Sequence, residues 1–273
     1  HGYPLRLNTE ASINLADDPK LLDLMYRANF RSVFIGIETP RIDSLKETKK
    51  FQNTHGDSMI DKIARIKRAG LDISAGFIVG FDNDDLGIFD DQHNFIQNNG
   101  ILLAMVGMLA AIPKTPLYDR LKAEGRLVEG DPNCNFHPKQ MTREELKTNY
   151  WELVRKLYTP SAFLDRYFSV YRNYPEFHEK RSAMSKKANE GRTLPTLGYS
   201  LILLWNLFWC LLKDGSLGKV GTVYLRYYVR VNRKERPGVI GLAQFLNRCV
   251  THWHFYAFTR DARAGRLRTY NSG

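Results

Sequence analysis

Three stretches in the first half of the chain repeat one plan. A short apolar run ends in polar or glycine residues, and a segment with apolar positions every three to four residues follows. The change of period from 2 to 3.6 marks a strand feeding a helix, and its repetition predicts the βα units of a parallel sheet. The first strand is expected over LRLNTEASINL (5–15), with Asp17, Asp18 and Pro19 capping and opening the helix PKLLDLMYRAN. SVFIGIE (32–38) predicts the second strand, followed by a helix near 40–48. SMIDKIARIKRAG (58–70) reads as a helix closed by a glycine, and LDISAGFIVG (71–80) as the third strand. DLGIFDDQHNFIQNNG (85–100) predicts a helix, and LLAMVGMLAAIP (102–113) a fourth strand, although its length equally allows a helix. Four such units form part of a barrel and leave an exposed sheet edge where earlier units belong.

The pattern changes at EGRLVEGDPNCNFHPKQ (124–140), rich in glycine, proline and polar residues. A boundary placed there divides a partial barrel (1–128) from a C-terminal domain (129–273). MTREELKTNYWELVRKLYT (141–159) has helical spacing, and Thr142 with Glu145 forms a capping box at its start. SAFLDRYFSVYRNY continues in the same manner, and the polar, basic run 176–194 reads as a linker or exposed turn. LGYSLILLWNLFWCLL (197–212) is sixteen residues without a charge. That is short of the roughly 20 needed to cross a bilayer, so a buried or interface-lying helix is expected. YLRYYVRVNRKER (224–236) alternates aromatic and basic residues, suited to phosphates or simply to a solvated face. The fold class expected is thus α/β: a partial TIM-like parallel barrel followed by a mostly α-helical domain.

Charge separates the two parts. Residues 1–130 hold 16 Lys and Arg against 18 Asp and Glu, whereas residues 131–273 hold 24 against 11 and all four tryptophans. A near-neutral barrel is joined to a half carrying about +13, which points to an anionic surface, with a membrane favoured over nucleic acid. Cys134, Cys210 and Cys249 are odd in number and lie far apart, with no CxxC or CxxxCxxC spacing. They build neither a disulfide framework nor a cluster site, and such sparse use suits a reducing cytoplasm. The segment from His1 has no signal-peptide character, and the chain reads as a fragment of a longer polypeptide.

In parallel α/β folds ligands gather at the C-terminal ends of strands. That rule selects Thr9, Glu10 and Asn14 on the first strand, Glu38 and Thr39 after the second, Gly76, Gly80 and Asp82 around the third, and Pro113, Thr115 and Pro116 after the fourth. Glu38 stands out because it follows the apolar run VFIGI, where a carboxylate needs either a ligand or a structural partner.

One order of segments says more than any of them alone: TEASINLA, FIGIETP, a lysine pair at Lys49 and Lys50, GFIVGFD, then PKTPLYDRLKAEGRL and CNF. This order resembles the later barrel strands of radical S-adenosylmethionine (radical SAM) enzymes, in the cobalamin-binding, hopanoid-methylase-like group with its own C-terminal domain. The resemblance is strong over residues 5–128. It implies a methyltransferase using S-adenosylmethionine, a [4Fe-4S] cluster and cobalamin to modify an unactivated carbon, on a small molecule or a lipid. Glu38 and Thr39 would contact the ribose or amino-acid end of S-adenosylmethionine. Gly76, Ile78 and Gly80 would lie beside the adenine, and backbone from Ala110 and Ala111 to Pro113 would meet its edge. Thr9, Glu10, Asn14 and Asp82 would line the barrel.

Two departures touch this pattern. Asn83 stands where the family often has an acid, between Asp82 and Asp84, and Lys114 replaces the glycine of a PGTP turn. The cluster motif and the cobalamin domain are not in the chain, so the missing N-terminal part of the polypeptide is the expected partner and the fragment alone is expected to be inactive. The expected location is the cytoplasm, peripheral at the membrane's inner face. Two other readings stay open: a non-radical nucleotide-binding barrel using helix N-termini and Lys50, and a scaffold whose basic half attaches to membrane or RNA. His252 and His254 in HWHFYAF would share one side of a strand, but no further ligand lies nearby and a structural role is favoured.

Overall fold

From Ser32 along the second strand and throughout the third, buried and half-buried positions alternate, which fixes one covered and one open face. A computed structural model describes residues 3, 5–47, 56–128, 130–131, 134–189, 193–235 and 241–264; Lys49 and Lys50 lie outside the described residues. Four parallel strands, β1 (Leu7–Glu10), β2 (Phe30–Glu38), β3 (Asp72–Val79) and β4 (Leu103–Met108), pair in sequence order. Each crossover is helical: α1 (Pro19–Arg27) leads to β2, α2 (Ile42–Glu47) and α3 (Met59–Arg68) to β3, and α4 (Ile88–Asn98) to β4. The expected caps are present, with Leu21 N–H donating to Asp18 and Gly70 at φ +91 closing the turn after α3.

The covered face carries Val33, Ile35 and Ile37 with Ile73, Ala75, Phe77 and Val79, all buried. On the other face Phe34, Gly36, Ser74, Gly76 and Ile78 remain half-buried, while Glu10 and Met105 are exposed. Two strand limits correct the sequence reading. The first strand ends at Glu10, and Asn14 stands in a 3-10 turn over Ile13–Asp17, because Ile13, Leu15 and Ala16 turn into the core. The fourth ends at Met108, before the loop that carries Ala111 and Pro113.

Beyond the sheet come α5 (Pro116–Ala123), α6 (Arg143–Leu157), α7 (Pro160–Asn173) and α8 (Pro175–Asn189), then α9 (Thr193–Lys213), α10 (Thr222–Arg230) and α11 (Leu242–Arg263). The capping box of Thr142 and Glu145 forms as expected. The run 176–194 is not a linker through most of its length: α8 occupies it and packs on α3 and α7, burying Phe177 and Met184. HWHFYAF is helical rather than extended, lying within α11. One continuous core joins sheet residues such as Val33 and Ile73 to Leu153, Phe163 and Leu246 of the helical half.

The outer edge of β4 is closed by side chains rather than by a strand. Tyr150 of α6 and Tyr158, which caps its C-terminal end, donate their hydroxyls to Val106 O (3.2 Å) and Ala104 O (2.9 Å), and Arg166 of α7 reaches Leu102 O. An edge protected in this way cannot template further pairing. His252 of α11 anchors the same region from behind, its Nε2 on Tyr158 O at 3.0 Å and its Nδ1 beside the Tyr224 hydroxyl. This arrangement makes Nε2 the protonated nitrogen and Nδ1 the acceptor.

Candidate functional site

The C-terminal ends of β2, β3 and β4 are bound into one rim by hydrogen bonds and ion pairs between loops. After β2 the chain turns sharply: Glu38 has φ +67, an unusual conformation for a residue with a side chain, and Thr39 is fully buried with its N–H on Ile37 O. The register with β3 slips at this point, between Gly36 and Glu38. Arg41, two residues on, reaches across to Asp85 (2.8 Å) and Asp91 (2.6 Å) beyond β3. At the end of α2, Glu47 accepts from the backbone N–H groups of Asp82 (3.1 Å) and Asn83 (2.9 Å).

The loop after β3 is built around two carboxylates. Asp84 is buried and accepts from Gly80 N–H, Phe81 N–H and the Ser44 hydroxyl. Burial raises its carboxyl above the ordinary range, with these donors opposing the rise. Asp82 binds Arg126 (2.7 Å), Arg120 and Lys139 (3.2 Å). Burial alone would raise this carboxyl too, but the three cations override it and hold it well below the usual carboxylate range. Asp82 is therefore a structural hub, with its carboxylate engaged rather than facing into the sheet.

Segments beyond the sheet complete the rim. Leu127 bridges Phe136 in antiparallel fashion, bringing the segments 124–128 and 134–140 together at the site. Arg126 donates to His137 O and lies over the Phe136 ring. Asn135 clamps the loop after β4, its carboxamide accepting from Ala111 N–H (2.8 Å) and donating to Ala111 O (2.7 Å). Thr115 caps α5. Lys114 explains one departure from the family's wording, since its φ of +66 is the left-handed conformation that glycine adopts without cost. Lys114→Gly should therefore raise stability by about 0.5–1 kcal/mol, the relief of roughly 1–2 kcal/mol of steric cost less the added freedom of the unfolded chain. Chemical denaturation of both forms checks this, and a loss of stability would mean that the lysine side chain has a role of its own.

Of the sequence-selected residues, Glu38, Thr39, Gly80, Asp82, Ala111 and Pro113 belong to this rim, and Gly76 and Ile78 to the open face beside it. Thr9 turns to the opposite face from Glu10, and Asn14 is exposed on its 3-10 turn. The glycines already have packing reasons. A Cβ at Gly76 would come within 3.2 Å of the Phe34 ring, and one at Gly80, where φ is +105, within 3.1 Å of Leu146. The sequence reading missed Asn135, Arg126, Arg41 and Glu47. CNF and EGRL did mark two of them, but without assigning a task.

The open face offers an apolar patch of Phe34, Ile78 and Met105, with Glu10 opposite Phe34 in the register and Glu38 at the turn that ends β2. That donor set fits a flat heterocycle joined to a cationic, hydroxyl-bearing tail. A metal cluster is a different matter. Among the described residues no three His, Cys, Asp or Glu side chains converge to hold an ion, and Cys134 and Cys249 are buried while Cys210 is exposed.

The profile of a domain of unknown function, DUF4070, matches residues 115–267, more than half of the chain. An uncharacterized methyltransferase of Synechocystis sp. is 41% identical over 212 residues, covering 75% of this chain and 38% of that protein. The hopanoid C-2 methylase of Rhodopseudomonas palustris is 29% identical over 272 residues, covering 99% and 49%. The bacteriochlorophyllide d C-12(1)-methyltransferase of Chlorobaculum tepidum is 29% identical over 168 residues, covering 59% and 36%. The chain thus spans about half or less of the length of each of these relatives.

Proposed function

Because the chain belongs to the DUF4070 family, the C-terminal domain associated with B12-binding radical SAM proteins, we propose that it supplies the S-adenosylmethionine-binding strand ends of a methyltransferase acting on carbon. The observation that carries this reading is the fixed rim beside an open sheet face, at the end of the strands where parallel folds bind ligands. Relatives named as methyltransferases support the transfer chemistry.

In this reading Glu38 takes the ribose hydroxyls or the ammonium of S-adenosylmethionine; Thr39, fully buried with its hydroxyl accepting from Arg41 N–H, holds the turn rather than touching the ligand, and Ile78 and Pro113 border the adenine. Gly76 and Gly80 shape that border through their close packing, and Ala111 positions it through Asn135. The work done by this chain is alignment: a rim fixed before the ligand arrives avoids the cost of ordering it during reaction. An iron-sulfur cluster and cobalamin, held by residues outside this chain, would supply the radical and the methyl group. The acceptor is taken to be a hydrophobic molecule, a lipid among them.

Equilibrium dialysis of S-adenosylmethionine against the folded polypeptide tests the site. Glu38→Gln should weaken binding at least tenfold, about 1.4 kcal/mol, for the loss of one charge-assisted contact. Glu10→Gln reports whether the second carboxylate of the open face shares the load. Unchanged affinity in Glu38→Gln with an unchanged fold would remove Glu38 from the site. No affinity in wild type would favour a scaffold role.

A further inference from the structure

Helix α9 uses little of its surface for packing. Ser200, Leu207 and Leu211 are buried and Leu203 is half-buried, a narrow stripe at helical spacing, and the helix packs chiefly against α11. Opposite that stripe, Leu201, Ile202, Trp205, Phe208, Trp209 and Leu212 are exposed, Trp205 to 61% and Ile202 to 59%. At 3.6 residues per turn these six exposed apolar positions fill an arc of roughly 120°. The aromatic rings on this arc pack on one another, with Trp205 and Trp209 edge to face at 5.5 Å. A contiguous apolar patch of this kind on a folded protein marks a surface meant to be covered.

We propose that α9 docks the protein flat on an anionic lipid bilayer. Three observations select the bilayer. No charged residue occurs between Arg192 and Lys213, so the apolar segment has a cation at either end and no acid within it, and Asp214, which follows Lys213, is paired with Arg260. The exposed arc holds two tryptophans, with Tyr199 also exposed one turn before Ile202, side chains that prefer the boundary between hydrocarbon and headgroups. Among the described residues no helix is long and apolar enough to cross a membrane, so the arc is suited to lying in the interface. The exposed side of α10 has the same character on a smaller scale, with Leu225 and Val229 beside Arg226 and Arg230. The half of the chain containing both helices has an excess of 13 positive charges, complementary to acidic headgroups. This surface does not depend on the reaction the protein catalyses.

The test is co-sedimentation of the complete polypeptide with vesicles of phosphatidylcholine alone or with 30 mol% phosphatidylglycerol, read together with tryptophan emission. Wild type should bind the anionic vesicles at least tenfold more tightly than the neutral ones, with emission shifted to the blue and binding weakened by salt. Trp205→Glu with Trp209→Glu should lower partitioning at least tenfold while circular dichroism and Tm stay unchanged, since both side chains are exposed. Equal sedimentation of wild type and double variant would overturn the proposal. So would a blue shift without lipid that grows with protein concentration, which would assign the patch to a second copy. Failure to bind any vesicle, with the tryptophans already shielded from an aqueous quencher at every concentration, would assign it to another segment of the same polypeptide.

Discussion

Asp82→Asn should cost about 3 kcal/mol of folding stability, although the substitution keeps the shape of the side chain. The carboxylate receives Arg126, Arg120 and Lys139 at once, and both it and Arg126 are largely shielded, with side-chain exposures of 11% and 14%. An amide cannot balance those charges, and Arg126 would keep only Glu124 and His137 O as partners. Urea denaturation of Asp82→Asn, Arg126→Met and the double variant gives the coupling directly. A cost below about 1 kcal/mol would reduce the cluster to an ordinary surface ion pair. The sign of the pH dependence follows from the lowered carboxyl. Its stabilising share is present above the unfolded-state value near 4 and is lost only as pH falls through the lower folded-state value, so mild acid should leave the rim intact.

Mild acid should instead attack the helical half through His252. Burial pushes this imidazole down to about 4, against 6.5 when solvated, with the carbonyl of Tyr158 opposing in part. The unfolded chain therefore binds a proton between pH 6.5 and 4 that the folded chain refuses. Stability from this residue is complete above pH 6.5 and falls as pH drops toward 4, by about 3 kcal/mol between those two values. A lowered folded-state value makes this histidine the reverse of one stabilised by its charge. His252→Gln should remove that slope and, by leaving the Tyr224 hydroxyl or Tyr158 O poorly paired, cost about 2 kcal/mol at neutral pH. Urea midpoints from pH 7 to 4.5 decide the point, and parallel slopes in wild type and variant would show that His252 does not titrate with folding.

The strand-helix order of the first half was legible because its elements carried their own periods and caps, as at Asp18–Pro19 and Gly70. The strand ends were less so. Nothing in TEASINL says that Ile13 and Leu15 turn into the core as a 3-10 turn and take Asn14 out of the sheet. The helical half misled where composition outweighed periodicity. The basic run from 176 reads as solvated, yet Phe177 and Met184, seven residues apart, face the core together. HWHFYAF was read for two histidines on one side of a strand, whereas in α11 His252 is buried and His254 exposed. For the site, Glu38 was found by its position after an apolar run, but Asn135 and Arg126 act through contacts between segments more than 20 residues apart. Only the quoted wording of CNF and EGRL pointed to them.

Whether these strand ends hold S-adenosylmethionine is decided on the complete polypeptide, purified without oxygen, with iron content and 5′-deoxyadenosine release from S-adenosylmethionine measured under reduction for wild type and Glu38→Gln. The proposed role predicts about four irons per polypeptide in both, nucleoside release by wild type, and release at least tenfold lower in Glu38→Gln at limiting S-adenosylmethionine. An iron-free folded polypeptide that leaves S-adenosylmethionine intact, or equal release by both forms, would contradict it.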